Sequence, residues 1–521
     1  MRKQVIESTD KKAAVNLALD TISMQKQAII FVNSKPSAEK TAEDLARKIG
    51  ESRQEWEKLA EKAGKALSKP TKQCERLAFC LKKGIAFHHA GLVAKQRELI
   101  EENFRNGAIK IICATPTLAY GVDLPAFRAI IKDLKRYGFR GMDWIPVLEY
   151  LQQAGRAGRP RYDSYGEAIA IAATKADRDF ISETYINGEP EAIYSKLAVE
   201  PVLRTYTLSL IASGFVTTKK GLVEFFNKTF WAHQYTDSAR LQAIIEKMLG
   251  LLQDWEFLKS RGSQDEFVSA DELDENVKLR ATPLGKRVAE LYLDPLTAHD
   301  FIEAMKRATS VKADEFSYLQ TISSTLELRP LLRARISEEE SLQEAVLKYN
   351  DSLLVGEPGI YDDEYSDFLA GVKTALFFLD WINEAGEEAL MEKFNIRPGE
   401  IHVKRDRADW LLFAMTEIAR ILEFREQARE LNKLRMRVKA GVKEELLLLL
   451  RFRGIGRVRA RTLFNNRIRT AADVKKADLK TLQQLIGVKL ALSVKEQVGQ
   501  EVEEVKKGKR RGQLSVNRFN G

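Results

Sequence analysis

Apolar and polar positions along residues 12–185 follow the pattern of an α/β domain. Short, unbroken apolar runs predict strands that are buried on both faces, because such strands lack polar alternation; they cover residues 28–32, 84–88, 110–115 and 168–172. Asn33 and Ser34 then predict a helix cap, followed by helical spacing over residues 37–49. Strands separated by helices indicate a doubly wound parallel sheet. The polar stretch 51–72 predicts an exposed helical insertion.

Two further extended segments, residues 129–137 and 142–147, flank a turn that is bracketed by Gly138 and Gly141. Glycines at such a turn predict a β-hairpin. The residues near its tip are Tyr137, Phe139 and Arg140. An ordinary solvent-exposed hairpin fits the same residues, so the pattern alone assigns it no function.

Beyond the α/β region the apolar spacing is mostly helical. Short helices and strand-like pieces over residues 189–293 predict a winged-helix domain. Phe368, Val372 and Leu376 show the helical period of residues 294–434, which predicts a helical bundle. We therefore expect an α/β domain at 1–188, mostly α domains at 189–293, 294–434 and 435–500, and a basic tail at 501–521.

The composition points to a kind of partner. The chain has 521 residues, of which 44% are hydrophobic, enough for several domains with cores of their own. Its net charge is +10, and residues 431–521 hold 23 lysines and arginines but only 8 acidic residues. A basic terminal region on a near-neutral body indicates a polyanionic partner, most simply nucleic acid. A solvated basic tail would have the same composition.

Several other classes of site are not indicated. Cys74, Cys80 and Cys113 form no C-x-x-C pair and are odd in number, so we expect a reducing cytoplasm rather than a disulfide framework. His88 and His89 have no partners at metal-ligand spacing, so no metal site is predicted. No apolar run is longer than six residues, which is too short to cross a bilayer, and the first residues lack a signal peptide. We expect no membrane partner.

One string carries chemistry of a specific kind: Gln152-Gln-Ala-Gly-Arg156-Ala-Gly-Arg159. Its glycines allow a close backbone approach, and its two arginines can stabilise charge on a transferring phosphate. A contact to a nucleic-acid backbone would need the same residue types. A nucleotide motor also needs a glycine-rich loop ending in Gly-Lys-Ser or Gly-Lys-Thr, and these 521 residues contain no such string. The sequence thus contains the arginines of a nucleotide site but not its phosphate loop. We therefore expect no ATP hydrolysis by this chain alone.

A second string, residues 114–125, follows the third predicted strand. Thr115 and Thr117 offer hydroxyls and backbone amides to a nucleic-acid phosphate. Asp123, two residues after Gly121, can reach a nucleotide ribose or its metal shell. The two strings in this order on one α/β domain form a highly specific combination.

These strings, together with Phe31-Val-Asn-Ser34 and Phe87-His-His-Ala-Gly-Leu92, resemble motifs of the second RecA-like domain of superfamily 2 helicases, in the Ski-type branch. Over about residues 12–500 the chain is similar to the archaeal Holliday junction migration helicases (Hjm), which act in DNA repair. The resemblance implies movement from 3′ to 5′ on single-stranded or forked DNA. It also implies ATP and Mg²⁺ bound jointly with a first RecA-like domain, in cis or in trans. That domain bears the phosphate loop and is not matched by these residues.

The resemblance also implies roles for individual residues. Arg156 and Arg159 would face the γ-phosphate with Gln152 beside them, while Gly121 and Asp123 would contact the nucleotide. The residues that would contact DNA phosphates are Asn33, Thr115 and His89. The hairpin residues Tyr137, Phe139 and Arg140 match the hairpin that parts the duplex in this family.

Residues 401–412 resemble the ratchet helix that lies along the translocating strand. Arg407 and Trp410 are three residues apart and so share one helical face, where a cation can bind a phosphate and an indole can stack on a base. The family's basic partner falls at Val403 in this chain, which is a departure from the pattern. Trp410 as plain bundle core is the alternative.

Residues 453–463 fit the signature of a helix-hairpin-helix. Gly454 and Gly456 would let the amides of the turn meet a DNA phosphate at a helix N-terminus. The arginines that would add counterion release are Arg457, Arg459 and Arg461. Residues around Gly487 look like a degenerate second copy, and a structural version that binds no DNA would carry the same signature.

The last residues resemble a sliding-clamp-binding peptide, since Gln513, Val516 and Phe519 fit its spacing although Asn520 replaces its second aromatic residue. A disordered basic tail is the alternative. We therefore expect the C-terminal part of an ATP-dependent DNA helicase of repair and recombination, cytoplasmic and associated with the nucleoid. Two other classes stay open, namely a non-catalytic DNA-binding scaffold and an RNA helicase of the same branch.

Overall fold

The computed structural model describes residues 10, 12–67, 70–138, 141–159, 163–197, 199–235, 238–261 and 278–500. They fall into two compact units. The first unit takes its described residues from 1–203, 220–247 and 387–404, and the second takes them from 204–219, 248–386 and 405–521.

The strands are short and, apart from one pair, lie in the first unit. In chain order they are β1 (Ala28–Phe31), β2 (Ile85–His88), β3 (Ile111–Ala114), β4 (Arg128–Ile131), β5 (Lys135–Gly138), β6 (Gly141–Trp144), β7 (Glu167–Ala170), β8 (Leu258–Arg261) and β9 (Lys278–Ala281). Five of them form one parallel sheet in the order β2-β3-β1-β4-β7. Ala28 in the centre faces Ile111 on one side and Arg128 on the other. The predicted parallel α/β domain is confirmed.

One predicted element was wrong in its extent. The extended segment 129–137 is two strands, because β4 joins the parallel sheet and β5 starts a hairpin with β6. The polar pair Lys132-Asp133 lies at the break between them. The apolar run at 129–131 is buried because it lies between β1 and β7, a position that its length alone does not reveal.

The helices of the first unit surround this sheet. In chain order they are α1 (Ala13–Ser23), α2 (Lys35–Ala46), α3 (Gln54–Gly64), α4 (Lys72–Leu81), α5 (Ala94–Arg105), α6 (Thr117–Gly121), α7 (Val147–Ala154) and α8 (Lys175–Ile181), with a π-helical turn at Ser182–Ile186. Ser34 caps α2 as predicted, because its side chain accepts a hydrogen bond from the Ser37 N–H.

Helix α3 is not the exposed insertion that the polar sequence predicts. Trp56, Leu59 and Ala63 are buried on one face. The indole N–H of Trp56 donates to the carbonyl of Ala108 at 2.8 Å. Its ring occupies the space beside Gly84 (φ +69°), where a Cβ would lie 2.5 Å away. The helix is therefore part of the core of this domain.

The rest of the chain is almost entirely helical. The further helices are α9 (Glu200–Ala212), α10 (Lys219–Phe226), α11 (Phe230–Gln234), α12 (Ser238–Asp254), α13 (Pro283–Glu290), α14 (Pro295–Arg307), α15 (Glu315–Ser323), α16 (Glu339–Tyr349), α17 (Tyr365–Ile382), α18 (Glu387–Phe394), α19 (Pro398–Ile421), α20 (Arg425–Ala440), α21 (Arg457–Asn465), α22 (Ala471–Lys476), α23 (Leu479–Ile486) and α24 (Val488–Gln497). Short 3-10 turns lie at Ile336–Glu338, Asn350–Ser352, Glu444–Leu446 and Leu449–Arg451. Strands β8 and β9 pair antiparallel, and the winged-helix assignment of residues 189–293 stays a prediction.

Residues 442–494 enclose an apolar core of their own in the second unit. Gly454 (φ +86°) precedes α21, and Gly487 (φ +89°) joins α23 to α24. Glycine reaches this backbone region without the steric cost that other residues meet. Of the three glycines that the sequence singled out here, Gly454 and Gly487 therefore form turns with positive φ, while Gly456 is the extended residue before α21. Among the described residues, no helix has the length and apolar character needed to span a bilayer.

Candidate functional site

The carboxyl ends of β1 and β3 gather the first group of predicted site residues. The Asn33 side-chain amide donates to the carbonyl of Lys135 at 3.1 Å. The Thr115 and Thr117 hydroxyls lie 3.0 Å apart, with Thr115 buried and Thr117 exposed. Asn33 is also exposed. Strands that run parallel end at one edge of a sheet, so Asn33 and Thr117 are available to a ligand there, while Thr115 is largely enclosed.

His89 is placed differently from the expectation. Its side chain is fully buried and stacks on Phe87 with ring centroids 5.5 Å apart. The Gly91 N–H donates to Nδ1 at 3.1 Å, and Nε2 lies 3.2 Å from an Oε1 of Glu39, so both ring nitrogens are used. Burial lowers the pKa of His89. The ring is thus neutral and enclosed, and a DNA phosphate cannot reach it in this structure.

The two strings after β3 and α7 come together along their backbones. Ala126 donates to the carbonyl of Arg156 at 2.9 Å, and Gly158 donates to the carbonyl of Ala126 at 2.6 Å. Gly158 has φ +96°, and a Cβ on Gly166 would lie 2.2 Å from the Gly158 nitrogen. Such an approach is possible only without side chains. Gly158 of the arginine string therefore allows a close backbone approach, as the sequence suggested.

This pairing brings Arg156 next to residues of α6 and the segment after it. The Arg156 guanidinium donates to the carbonyl of Ala119, and its Nη1 lies 3.9 Å from an Oδ1 of Asp123. The Asp123 side chain is 97% exposed, and Gly121 is exposed as well. Arg156 is mostly buried apart from its access to this surface. One cluster thus contains Arg156, Gly121 and Asp123. Its cation is the Arg156 guanidinium, which a phosphate could attract away from the Ala119 carbonyl.

Arg159 has a different environment. It donates to Asp163 at 2.7 Å and to the side-chain carbonyl of Gln27 at 2.7 Å. Lys26 also binds Asp163, at 2.6 Å. The hydrogen bond from Arg159, helped by Lys26, holds the pKa of Asp163 below its ordinary value. The Asp163 carboxylate is 1% exposed, so Arg159 is committed to a buried acid, and the structure does not bring it into the Arg156 cluster.

Two neighbouring glutamines on α7 have opposite exposure. Gln152, the predicted companion of the arginines, is exposed. Gln153 is buried, and its Oε1 has no hydrogen-bond partner among the described residues. No group of three or more histidines, cysteines or acids that could hold a metal ion occurs in the described part of the chain. These residues therefore fit the phosphate end of a nucleotide but do not by themselves fit Mg²⁺.

The predicted hairpin exists, and its base is firmly held. Strand β5 pairs with β6, and Tyr137 faces Met142 in this register. Phe139 and Arg140, together with the side chain of Tyr137, lie outside the described residues. Arg136 binds the buried Glu149 in the first turn of α7 at 2.7 Å. The hairpin is thereby tied to the helix that leads to Arg156, a link that sequence reading missed.

In the second unit, Arg407 and Trp410 lie on α19 as expected. The Arg407 guanidinium donates to the carbonyl of Arg329, and the Trp410 indole N–H donates to the carbonyl of Leu291 at 3.1 Å. Both side chains are of intermediate exposure. Trp410 is thus neither a free surface indole nor a core residue, and part of its ring can meet solvent. Val403, where the family has a basic residue, is 51% exposed.

The arginines of the predicted helix-hairpin-helix separate into two kinds. Arg459 is exposed and donates to the carbonyl of Gly454 at 3.1 Å. Arg457 donates to the carbonyl of Ala385 at 2.6 Å. Arg461 instead binds both carboxylate oxygens of Glu384 at 2.8 and 2.6 Å, and Glu445 at 2.7 Å. The hydrogen bond to Glu384 raises the pKa of Arg461. Arg461 is therefore a structural residue here, contrary to its predicted role as a DNA contact.

Comparison with known proteins supplies a family. A family profile described as "Archaeal helicase, domain 4" matches residues 316–441, and one described as "Helicase conserved C-terminal domain" matches residues 10–161. A protein of Pyrobaculum calidifontis named ATP-dependent DNA helicase Hel308 is 36% identical over 512 residues, which make up 95% of this chain and 67% of that protein. The chain belongs to the Hel308 helicase family.

Other Hel308 proteins are similar to this chain over nearly its whole length. Those of Pyrococcus horikoshii and Methanocella arvoryzae are 38% and 37% identical over 94% and 96% of this chain. In both cases the chain spans 66% of the Hel308 relative's length. The C-terminal helicase profile includes Asp123 and Arg156, and the archaeal domain 4 profile includes Arg407 and Trp410.

Sequence reading missed one buried ionic cluster of this chain. Glu39 on α2 contacts His89 and Arg397. A signal was present in the sequence, because Glu39 and Glu43 follow the buried Ala38 and Ala42 at each turn of α2. Acids that share the apolar face of a helix require buried cationic partners. Which cations these would be, more than 350 residues away in the case of Arg397, no local pattern reveals.

Proposed function

We propose that this chain is the part of an ATP-dependent DNA helicase that supplies an arginine to the nucleotide and grips DNA. The observation that supports this most directly is the cluster of Arg156, Asp123 and Gly121. Two separate strings form it through backbone pairing, and one member is a guanidinium whose partners among the described residues are a carbonyl and a distant carboxylate. The names of the Hel308 relatives agree with an ATP-dependent activity on DNA.

Arg156 is the residue that acts on the nucleotide. Its guanidinium donates a hydrogen bond to the neutral Ala119 carbonyl. A γ-phosphate offers stronger, charge-assisted hydrogen bonds, so the guanidinium moves to it and stabilises the charge that builds up during phosphoryl transfer. Arginines in this role contribute about 10³-fold or more to the rate. Gln152 lies exposed one turn before it and orients the attacking water.

ATP and Mg²⁺ are the cofactors of this activity. Bound Mg²⁺ would neutralise charge on the β- and γ-phosphates. The described residues offer it no cluster of ligands, and the 521 residues contain no Gly-Lys-Ser or Gly-Lys-Thr string. We therefore assign the phosphate loop and the metal ligands to a first RecA-like domain, in cis or in trans.

The DNA grip is spread over both units. On the first unit Asn33, Thr115 and Thr117 bind backbone phosphates at the carboxyl ends of the strands. The hairpin, with Tyr137, Phe139 and Arg140, parts the duplex.

On the second unit Arg407 and Trp410 hold the single strand, and Gly454, Gly456, Arg457 and Arg459 bind a phosphate in a helix-hairpin-helix. A winged helix at 189–293 and movement from 3′ to 5′ on forked or Holliday-type DNA in repair complete the proposal. Clamp binding through residues 513–519, which lie outside the described residues, is a further element of it.

ATP turnover by the purified chain, with and without single-stranded DNA, tests the proposal. We expect salt-dependent DNA binding without turnover. Fusing the N-terminal third of the Pyrococcus horikoshii Hel308 ahead of the chain should restore DNA-stimulated turnover. Turnover by the chain alone would reveal an unrecognised phosphate site and refute the assignment.

The same measurement separates the two other classes. DNA binding with no turnover in the fusion favours a non-catalytic scaffold whose arginine string is idle. Stronger stimulation by RNA than by DNA of equal length favours an RNA helicase. Fork unwinding by the fusion, with a displaced strand labelled at either end, reports the direction of movement.

A further inference from the structure

The loop after β2, residues 89–92, is enclosed although its sequence resembles a helicase motif. His89, Gly91 and Leu92 are buried, and only Ala90 is exposed. The loop offers no exposed polar side chain to a nucleic acid. Its backbone instead meets the start of α19, because the Gly399 N–H donates to the carbonyl of Gly91 at 3.0 Å. Both segments belong to the first unit.

This contact is closer than any side chain would allow. A Cβ on Gly399 would lie 2.4 Å from the carbonyl oxygen of Ala90 and 2.6 Å from that of Leu92. A Cβ on Gly91 would lie 2.6 Å from the Arg397 side chain. Backbone oxygens cannot retreat in the way that the end of a flexible side chain can. The fit between loop and helix therefore depends on the glycine at position 399, whereas a side chain at position 91 would displace Arg397.

A buried carboxylate lies beneath the contact. Glu39 is 1% exposed, and its Oε1 accepts hydrogen bonds from Arg397 at 3.0 Å and from His89 at 3.2 Å. Its Oε2 pairs with Arg76. Burial opposes the ionisation of Glu39, but the hydrogen bond from His89 and the charges of Arg397 and Arg76 outweigh it and lower its pKa to about 2. Glu39 is therefore charged at neutral pH and fully paired.

Further ion pairs surround this centre. Glu400 pairs with Lys35 and accepts the Arg397 N–H at 3.0 Å, and Glu392 of α18 pairs with Lys72 at 2.7 Å. The same α19 continues without a break to Arg407 and Trp410. The first turn of this helix is thus held on the α/β domain by backbone, glycine packing and charge together.

We propose that the His-His-Ala-Gly-Leu loop and Glu39 form a socket that clamps the first turn of α19, and that DNA affinity depends on this clamp rather than on contact with His89. Glu39, Arg397 and Gly399 are positioning residues in this account. The effect on DNA rests on the proposed function of Arg407 and Trp410, whereas the clamp rests on the contacts above.

Gly399→Ala is the main test, with Gly386→Ala as the matched control. No atom lies within 4 Å of a Cβ on Gly386. Two properties are measured on the full chain, namely hydrogen exchange in peptides covering 89–92 and 397–404, and affinity for a labelled oligothymidine. We expect exchange about tenfold faster in both peptides of Gly399→Ala and affinity about fivefold weaker. Unchanged exchange in β1 and β3 verifies that the domain remains folded.

In a second pair of variants, the direction of the change in DNA affinity distinguishes the clamp from simple electrostatics. Glu39→Gln removes a negative charge, so through-space electrostatics alone would strengthen DNA binding. The clamp predicts the opposite, a weaker affinity together with faster exchange at 397–404. Glu61→Gln removes the same charge from an exposed pair with Lys65 that lies outside the clamp and should leave both properties nearly unchanged.

The outcomes separate the inference from the proposed function. If the unaltered chain binds no oligothymidine, the proposed function fails, and the exchange data alone decide whether the clamp exists. Unchanged exchange in Gly399→Ala and Glu39→Gln overturns the clamp. Faster exchange with unchanged DNA affinity overturns its link to DNA. Faster exchange with weaker affinity in both variants, and in neither control, supports the inference.

Discussion

The arginine string at 152–159 and the glycine-arginine string at 453–463 hold their arginines in the same two ways. In each, the sequence offers arginines of equal chemistry a few residues apart. Carbonyls hold Arg156 in the first string, and Arg457 and Arg459 in the second. Acids hold the last arginine of each string: Asp163 holds Arg159, and Glu384 and Glu445 hold Arg461.

The difference decides which arginine is available to a phosphate. A neutral carbonyl yields to a phosphate, because charge-assisted hydrogen bonds are roughly twice as strong as neutral ones. A carboxylate that already binds the guanidinium offers a charge-assisted hydrogen bond of its own, so a phosphate gains less by displacing it. We therefore expect carbonyl-held arginines to bind nucleotide or DNA, and acid-held arginines to stabilise the fold.

The largest effect should come from Arg156→Ala in the fused protein. Loss of the guanidinium should lower DNA-stimulated ATP turnover by about 10³-fold, since the charge on the transferring phosphate loses its partner. Arg156→Lys should recover only part of this, because a point charge lacks the fork geometry. Steady-state turnover at saturating DNA measures both. Near-normal turnover by Arg156→Ala would mean that an acid-held arginine stabilises the transferring phosphate. That result would contradict the division into carbonyl-held and acid-held arginines.

The second effect concerns the stability of the first unit. Asp163→Asn removes the buried partner of Arg159 and Lys26, and it should lower the free energy of unfolding by about 3 kcal/mol. We place it at the low end of the range for buried pairs because Arg159 and Lys26 keep some access to water. Denaturant unfolding of the full chain measures the change. A Glu61→Gln control alters an exposed pair with Lys65 and should change stability little.

The pH dependence of the free energy of unfolding tests the contribution of Asp163 independently. The pKa of Asp163 lies below its ordinary value of 3.8 because Arg159 binds the charged form. Its contribution is therefore present at neutral pH and lost as pH falls below 3.8. Asp163→Asn should lack this part of the acid-induced loss. An identical pH profile for both proteins would show that the pair contributes nothing.

These cases also show what the sequence could and could not predict. The strands β1, β2, β3 and β7, the hairpin, and the turns at Gly454 and Gly487 follow from local apolar runs and glycines, and those predictions hold. The partners of charged residues do not follow, because they come from distant segments, as Glu384 does for Arg461. The sequence predicts a DNA contact for His89 because nothing near it in the chain indicates that its partner is Glu39. The local pattern of residues predicts helices, strands and turns, whereas contacts with distant segments decide the role of a charged side chain.

A smaller effect is expected when Arg459→Ala is compared with Arg461→Ala for binding to duplex DNA. Arg459→Ala should reduce the slope of log affinity against log salt by about 0.9, the value for one lost phosphate contact. Arg461→Ala should leave the slope unchanged and lower the stability of the second unit instead, because Glu384 and Glu445 lose their shared cation. Binding titrations across a salt series measure the slope. Equal slopes for the two variants would contradict the division into carbonyl-held and acid-held arginines.

The smallest effect should come from Arg407→Ala, which extends the comparison to α19. Arg407 is held by the Arg329 carbonyl, whereas Arg435 on α20 is held by Asp409 at 2.9 Å. One exposed phosphate contact is worth about 1 kcal/mol, so Arg407→Ala should weaken binding to single-stranded DNA by about fivefold at low salt. Arg435→Ala is the matched control and should change stability more than affinity. If Arg435→Ala weakened DNA binding more than Arg407→Ala, the partner of an arginine would not predict its role on this helix, and the rule would be confined to the two glycine-rich strings.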